Sequence, residues 1–289
     1  MFQKGKTYLL PLLFFILLCS VLFIIYWNLR KERQYLTFAV LNVGQGDAIY
    51  IESPTGTQIL VDSGLPKKVL SRLSRVMPLF DRSIDGLLIT NPDADHIGGF
   101  LDVLKVYKVG QVYEAGTWNE SKIYESLKNK IQEKDIPVSL AKKGMRLDLG
   151  GGAVLDILFP DRDVSDWTTN DGSVVMRLTY GETSIMLTGD ATSETERLVL
   201  ESNILEDLDV DILKVGHHGS RTSTSENFVQ TLTPEYAIIS SDGGKKYGHP
   251  HKETLETLNS FGVEILRTDI LGSIIMKSDG VNEIFSFIK

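Results

Sequence analysis

The residues best suited to chemistry lie in "TNPDADHIGGF", residues 90–100. This stretch follows the apolar run "IDGLLIT" and brings Asn91, Asp93, Asp95 and His96 close together in the chain. Without a cation, two carboxylates and an imidazole packed side by side would repel or desolvate one another. A divalent metal makes them a ligand set, because imidazole suits zinc and carboxylate suits manganese. An exposed polar loop is the alternative interpretation.

Three other apolar runs also end in ionisable residues. "GTQILVDSG" delivers Asp62, "TSIMLTGD" delivers Asp190, and "VDILKVGHHGS" delivers His217 and His218. The carboxyl ends of strands commonly place ligands at the rim of a sheet. A lone Asp at a strand end is more often a turn or cap residue, but four such ends in one chain favour a shared metal site.

Two later segments supply candidates for binding a phosphate-containing substrate. "HHGSRTSTS" offers Ser220, Arg221 and Ser223 to phosphate oxygens, although a solvated loop explains them equally well. "KKYGHPH" sets Tyr247 and His249 beside two lysines, a local basic cluster in an acidic chain. It is a candidate for phosphate binding or for protonating a leaving group.

Composition limits the classes of function. The 289 residues carry a formal net charge of -8, which argues against broad electrostatic attraction to nucleic acid. That charge does not exclude a nuclease that holds phosphate through a metal. Cys19 is the single cysteine in the sequence, so an intramolecular disulfide and a cysteine-rich zinc site are both excluded. Any metal must therefore be held by His, Asp, Glu or Asn.

The segment Tyr8–Trp27 contains no charged residue and matches the roughly 20 residues that cross a hydrocarbon core. A cleaved signal peptide is the alternative, but the bulky, charged sequence that follows is unlike a cleavage site. We predict a cytoplasmic tail and single-pass anchor over 1–29, a linker over 30–35 and a hydrolase domain over 36–289. Basic residues flank both sides of the span, and we place the domain outside the cell.

Strand and helix patterns alternate from about Leu36 onwards. "LTFAVLNV", "DAIYIES" and "TQILVDSG" predict a meander, in which "GQGD" (Gly44–Asp47) either faces the site or only turns the first hairpin. Further strands are predicted at "IDGLLIT", "VGQVYEA", "AVLDILF", "SVVMRLTY", "TSIMLTGD", "VDILKVG", "EYAIISS", "VEILRT", "SIIMKS" and "EIFSFI". Helices are predicted at "VLSRLSRVM", "FLDVLKVYK", "ESKIYESLKNKIQEK", "TSETERLVLES" and "KETLETLNSF". The pattern predicts an α/β fold of two stacked sheets with helices on both outer faces.

The motifs taken together resemble the metallo-β-lactamase superfamily. Its hallmark, H-x-H-x-D-H followed by Gly-Gly, is filled here as Asn91-x-Asp93-x-Asp95-His96. "LNVGQGDAIYI", "NPDADHIGG", "LTGD", "LKVGHHGSRTSTS" and "YGHP" resemble the soluble hydrolase domain of ComEC-type DNA-uptake (competence) proteins over about residues 38–275. The resemblance implies an αββα sandwich of two stacked mixed sheets. The multi-span channel of those proteins is not implied, because this chain has one apolar span.

The resemblance also implies a set of metal ligands. Asp95, His96 and His217 surround one divalent ion, with Asp190 as a bridge to a second ion. We favour His217 over His218, which is either a ligand or a hydrogen-bonding partner of the substrate.

The second ion site departs from the family pattern. Asn91 and Asp93 stand where the hallmark has two histidines, although ComEC-type proteins commonly carry Asp at the second position. This site should bind more loosely, favour manganese or stand empty. Asn170 or Asp171 in "TTNDGSVV" is a candidate to add an oxygen.

The chemistry implied is hydrolysis with one or two ions of zinc or manganese. A bound metal lowers the pKa of its water and supplies hydroxide near neutral pH. Asp93 or Asp190 accepts the proton as general base, and His249 assists the leaving group. Asp62 orients a ligand histidine, with a turn-stabilising role as its alternative.

Three functions compete at this point. The first is a phosphodiesterase acting on nucleic acid, including single-stranded DNA, at the outer surface of the cell membrane. The second is a phosphodiesterase acting on teichoic acid or phosphorylcholine groups of the cell wall. The third is a binding or regulatory module that has lost catalysis through Asn91. β-Lactamase and glyoxalase activities are not expected, and the sequence identifies no protein partner.

Overall fold

Strands make up most of the fold in the computed structural model, which describes residues 9–32, 35–205 and 208–289. They are β1 (Leu36–Val40), β2 (Ile49–Glu52), β3 (Gln58–Val61), β4 (Ser83–Ile89), β5 (Lys108–Glu114), β6 (Val138–Leu140), β7 (Arg146–Gly150), β8 (Ala153–Phe159), β9 (Val175–Tyr180), β10 (Thr183–Leu187), β11 (Ile212–Lys214), β12 (Tyr236–Ile239), β13 (Glu264–Arg267), β14 (Ser273–Ser278) and β15 (Glu283–Ile288).

These strands form two sheets. One sheet has the order β15-β14-β1-β2-β3-β4-β5-β6, and the other has the order β13-β12-β11-β10-β9-β8-β7. Each is mixed: β3 to β6 pair in parallel in the first sheet, β10 to β13 pair in parallel in the second, and the remaining pairs are antiparallel.

The helices connect and cover these sheets. They are α1 (Leu9–Glu32), α2 (Val69–Leu73), α3 (Ala94–Ile97), α4 (Phe100–Val106), α5 (Lys122–Glu133), α6 (Ser193–Ser202), α7 (Glu226–Leu232), α8 (Lys252–Ser260) and α9 (Thr268–Leu271). On α1, side chains are described for residues 10–24, and its large apolar ones are exposed. No helix within the described residues is both long enough and apolar enough to cross a membrane.

Three buried layers show how the chain is stacked. Along β1, Phe38 and Val40 belong to the cluster between the two sheets, whereas Ala39 belongs to the cluster beneath α2, α4 and α5. Along β10, Ile185 packs between the sheets and Met186 packs towards α6 and α7. Successive residues of a strand point to opposite faces, so a strand covered on both faces is apolar throughout. The predicted sandwich of two mixed sheets with outer helices is confirmed.

The amino end of α5 shows how the fold fixes a loop near the strand ends. The Ser121 hydroxyl accepts a hydrogen bond from the Tyr124 N–H and caps the helix. Tyr124, Leu127 and Ile131 then form its buried face. Asn119 Oδ1 accepts from the Ser121 N–H, which leaves the Asn119 amide group directed at Asp93.

Part of the predicted N-terminal organisation lies outside the described residues. Residues 1–8 of the predicted tail and residues 33 and 34 of the predicted linker are among them. The first strand of the sandwich begins at Leu36. The membrane anchor and its orientation stay predictions.

Candidate metal centre

Asp190 lies at the centre of a cluster of carboxylates and imidazoles. Its Oδ2 lies 3.0 Å from His96 Nε2, and its Oδ1 lies 3.4 Å from His218 Nε2. Asp95 Oδ2 lies 3.6 Å from the same His218 nitrogen. These side chains follow the ends of β4 in one sheet and of the parallel pair β10 and β11 in the other, so both sheets deliver them to a single edge of the sandwich.

The separations suit a metal ion. A zinc or manganese ion lies roughly 2.0–2.2 Å from nitrogen and oxygen ligands, so ligand atoms on one ion lie within about twice that distance. Three overlapping triads have ligand atoms within 4.8 Å of one another: Asp95, His96 and His218; Asp47, Asp190 and His218; and Asp47, Asp62 and His96.

Two glycines permit the close approaches that build the centre. Gly46 has φ +110°. A Cβ at this position would lie 2.1 Å from the Asp95 carbonyl oxygen, a backbone atom that cannot easily shift. Gly189 has φ +51°, and its Cβ would lie 2.8 Å from the Thr90 side chain. Only residues without a side chain fit at such approaches, so Gly46 brings Asp47 to the site and Gly189 brings Asp190 there.

Three site residues have left-handed backbone conformations that non-glycine residues rarely adopt. The φ angles are +55° for Asp62, +47° for His217 and +56° for His218. Such strain concentrates at functional sites, where the surrounding structure holds it in place. The turn Gly216–Gly219 therefore points the two adjacent histidines in different directions, and the planes of their rings are inclined at 78° to each other.

Asp62 lies behind His96. Its Oδ2 is 2.7 Å from His96 Nδ1, and Thr90 donates to both of its oxygens through its N–H and its hydroxyl. A carboxylate accepts, so the proton sits on Nδ1 and Nε2 is directed at Asp190. A carboxylate behind a ligand histidine fixes the ring and raises its basicity.

His218 has a corresponding support that the sequence did not reveal. Its Nδ1 lies 3.4 Å from Asp47 Oδ1, and the other Asp47 oxygen accepts a 2.8 Å hydrogen bond from Lys214 Nζ. Lys214 and Asp47 are almost completely buried. Burial raises the pKa of Asp47, but the charges of Lys214 and His218 together outweigh burial and lower it to about 2. The loop "GQGD" thus faces the site.

The electrostatics favour a cation. Burial lowers the pKa of His218, but Asp190 and Asp47 raise it to about 10. Burial also opposes charge on His96, and Asp190 and Asp62 likewise hold its pKa well above the ordinary value. Burial raises the pKa of Asp190, while His96 and His218 lower it below its usual range. A field that binds protons this strongly attracts a divalent cation in their place.

Several buried atoms at the centre also await a partner. In the described part of the chain, His96 Nε2, His218 Nε2 and Asp190 Oδ1 make no hydrogen bond, although His96 Nε2 lies 3.0 Å from Asp190 Oδ2. Buried polar atoms without partners are costly, and the free nitrogens are of the kind that ligate metals. The donor set therefore fits a divalent ion held by Asp95, His96, Asp190 and His218.

His217 occupies a more peripheral position than the sequence analysis favoured. Its Nε2 lies 3.8 Å from Asp190 Oδ2, its side chain is 23% exposed, and it belongs to none of the three triads. Burial lowers its pKa, in contrast to that of His218. The geometry therefore favours His218 as the ligand and leaves His217 on the wall of the adjoining cavity.

That cavity has a volume of about 320 Å³ and lies directly over the cluster. The His249 ring stands 5.5 Å from the His217 ring, and its Nδ1 lies 3.4 Å from the Gln45 amide nitrogen. Burial and the neighbouring histidines lower the pKa of His249 to about 4. The lining residues are Gln45, Asp93, Asp95, Asp190, His217, Tyr247 and His249.

The predicted phosphate-binding loop is engaged in its own structure. The Ser223 hydroxyl donates to the Ala191 carbonyl, and the Ser220 hydroxyl pairs with that of Thr222; both serines are buried. The exposed Arg221 donates its backbone N–H to His251. A substrate role for Ser220 and Ser223 stays a prediction, and their contacts favour stabilising the loop.

The Asn91–Asp93 half of the site is organised differently from the cluster. Asn91 Oδ1 accepts a hydrogen bond from the Asp93 N–H. The Asp93 carboxylate accepts from Asn119 and from Thr169. Burial raises the pKa of Asp93. Asp93 belongs to none of the triads found among the described residues.

Asp171 and Asn170, the residues proposed to add an oxygen to this half, differ in whether their oxygens are already hydrogen-bonded. Both carboxylate oxygens of Asp171 accept hydrogen bonds, from Thr168 and Thr192. Asn170 Oδ1 is buried without a hydrogen-bond partner in the described residues.

Asp47, Lys214 and Gln45 are the site residues that the sequence analysis did not assign. Asp47 and Gln45 lie in "GQGD", whose orientation was left open, and a lysine inside the apolar strand "VDILKVG" was the available signal. A lysine within a buried strand requires a carboxylate partner.

Two stacked mixed sheets, outer helices and an Asp–His cluster at the carboxyl ends of strands define a class of metal-binding α/β sandwich proteins. The chain belongs to the metallo-beta-lactamase superfamily, whose family model matches residues 41–243.

Individual relatives agree with that assignment. The chain is 31% identical to ComE operon protein 3 of Bacillus subtilis over 278 residues, which is 89% of this chain and 34% of that protein. It is 28% identical to competence protein ComA of Neisseria gonorrhoeae over 241 residues, 81% of this chain and 31% of that protein. The chain thus spans about a third of the curated relatives it matches. The predicted resemblance is confirmed.

A solved structure supports the fold alone. The metallo-beta-lactamase fold protein YhfI of Bacillus subtilis superposes with a TM-score of 0.51 at 14% identity, covering 81% of this chain and 96% of that one.

Proposed function

We propose that this protein is a metal-dependent phosphodiesterase that hydrolyses DNA. The observation that carries the proposal is the convergence of Asp95, His96, Asp190 and His218, with their unpartnered buried atoms, beneath a cavity. The names of the relatives, a competence protein among them, support nucleic acid as the substrate.

A divalent ion in this centre would supply Lewis-acid polarisation of a phosphoryl oxygen and a nucleophile near neutral pH. The chain supplies the rest. Asp62 and Asp47 hold the two ligand histidines in fixed orientations. Asp93 and Asp190 have carboxylate oxygens at the cavity wall, where either can accept a proton.

The leaving group would meet His249, which lines the same cavity. His249 lies beside His217 and Gln45, and Tyr247 completes the rim with half of its surface exposed. Lys246 Nζ lies 4.5 Å from the centroid of the Tyr247 ring. An exposed aromatic ring next to a cation suits a base stacked on the ring with its phosphate near the charge.

The proposal extends to location. We place the protein at the cell membrane, held by the N-terminal segment, with the catalytic domain outside. The uncharged run Tyr8–Trp27 supports this placement. Fractionation of cells producing the full chain, followed by protease treatment of intact cells, tests the anchor and the orientation together.

Turnover is tested on the purified full chain with bis-p-nitrophenyl phosphate in the presence of manganese or zinc. We expect hydrolysis that is lost in His96→Ala, and cleavage of single-stranded DNA in preference to teichoic acid. Preference for teichoic acid would assign the enzyme to cell-wall polymers. Absence of turnover with either metal would overturn the enzymatic proposal and leave a binding or regulatory module.

A further inference from the structure

We propose that this chain holds a single divalent ion, and that Asn91 and Asp93 form a hydrogen-bonded clamp in place of a second ion site. The inference rests on the proposed metal-dependent function and fixes the number of ions that function uses.

Asn91 has an orientation that directs its amide oxygen into the turn. Its side chain is completely buried, and its Oδ1 accepts a 2.9 Å hydrogen bond from the Asp93 N–H. A backbone N–H can pair only with the oxygen, so this contact fixes which end of the amide points where. The Nδ2 then faces the Ser173 hydroxyl at 3.4 Å. The oxygen that a metal would need thus already has one of its two lone pairs engaged inside the turn.

Both carboxylate oxygens of Asp93 accept hydrogen bonds. Its Oδ1 accepts a 2.9 Å hydrogen bond from Asn119 Nδ2, and its Oδ2 accepts a 3.0 Å bond from the Thr169 hydroxyl. The Ser173 hydroxyl in turn donates to the Thr169 carbonyl. These contacts join the end of β4 to two separate loops, so the group has the connections of a structural clamp.

The neighbouring cluster around Asp190 differs from this clamp in how its atoms are satisfied. The atoms facing one another around Asp190 include several without hydrogen-bond partners, whereas both oxygens of Asp93 have partners. A site prepared for an ion keeps its ligand atoms free and convergent. Of the two halves of the site, the cluster around Asp190 meets that condition and the Asn91–Asp93 half does not.

A single ion changes what the chain must do. In a two-ion site, the second ion stabilises the leaving oxygen. Here His217 and His249 line the same cavity as Asp93 and Asp190. Their ring nitrogens are the available donors for the leaving oxygen.

The test is the metal content of the purified full chain, saturated with manganese and freed of loose metal by gel filtration. We expect about one ion per chain by elemental analysis and a paramagnetic resonance spectrum of isolated manganese. Two ions per chain, or the spectrum of a coupled pair, would overturn the proposal.

Two matched variants locate the ion. Asp93→Asn and Asp95→Asn each replace one carboxylate oxygen with an amide nitrogen, at positions two residues apart. We expect Asp93→Asn to retain one ion with unchanged affinity, and Asp95→Asn to weaken binding at least about tenfold. Loss of metal from Asp93→Asn would contradict the clamp. If a variant does not fold, as judged by its thermal transition, the wild-type stoichiometry still decides.

The metal measurement is made without substrate, so it is separable from the proposed function. A chain with one ion and no phosphodiesterase turnover would refute the function and leave this inference standing. A chain with two ions and good turnover would do the reverse.

Discussion

The two halves of the site differ in how their polar atoms are satisfied. Around Asp190, imidazole and carboxylate atoms converge within 4.8 Å, and several lack hydrogen-bond partners. Around Asp93, the side chains are joined to Asn91, Asn119 and Thr169 by hydrogen bonds. The same short stretch "NPDADH" therefore supplies both a set of metal ligands and a structural clamp. The residue types within a motif do not determine which atoms are free to bind.

The largest effect is expected where a ligand is removed. His96→Ala should lose the ion and lower phosphodiester turnover by about 10³-fold, since the ion contributes several kcal/mol to the transition state. Elemental analysis and steady-state kinetics measure both. His251→Ala, which changes a histidine outside the cluster, should keep its metal. Equal loss in both variants would mean that the effect is not specific to the centre.

The next effect concerns stability. Lys214→Met leaves Asp47 buried without its cation, and we expect a loss of about 3–5 kcal/mol in the free energy of unfolding by urea. The double variant Lys214→Met, Asp47→Asn removes both charges and should recover much of that loss. Additive losses in the double variant would show that Lys214 and Asp47 do not act as a pair.

A smaller effect on metal binding is expected for Asp62, which lies behind the ligand His96. Asp62→Asn keeps the size of the side chain but weakens the hydrogen bond to His96, so metal affinity should fall about 10–100-fold. Titration of the apoprotein with zinc, monitored by calorimetry, measures the change. The exposed Asp135→Asn should bind as the wild type does. An unchanged affinity in Asp62→Asn would assign Asp62 to the turn alone.

The smallest effect is expected in the Asn91–Asp93 half of the site. Asn91→Ala removes the acceptor of the Asp93 N–H and should cost about 1–3 kcal/mol of unfolding free energy. Its metal content should match that of the wild type. Thermal unfolding with elemental analysis checks both values. A variant that loses metal without losing stability would make Asn91 a ligand.

Much of the fold was predictable because the strongest patterns are local. "AVLDILF" matches β8 residue for residue, and the apolar runs ending in Asp62, Asp190 and His217 are strands as predicted. The short strands β6 and β7 and the helices α3, α7 and α9 were missed. β6 is mostly exposed and is fixed by its pairing with β5, and helices as short as α3 depend on contacts rather than on periodicity.

The site was predictable in its members but not in its division of roles. Asp47 and Lys214 meet across 167 residues of sequence, so their pairing follows from the packed fold. The choice between His217 and His218 depends on left-handed backbone angles at adjacent residues, which no spacing rule reveals. The state of Asp93 depends on Asn119 and Thr169, which lie on other loops.

The central claim is most directly tested by anomalous diffraction from crystals of the protein grown with manganese or zinc, recorded at the absorption edge of the metal. The account predicts one peak per chain, roughly 2.0–2.2 Å from His96 Nε2 and His218 Nε2 and in contact with the Asp190 carboxylate. A peak held by Asn91 and Asp93, or no peak with these histidines turned away from Asp190, would contradict it.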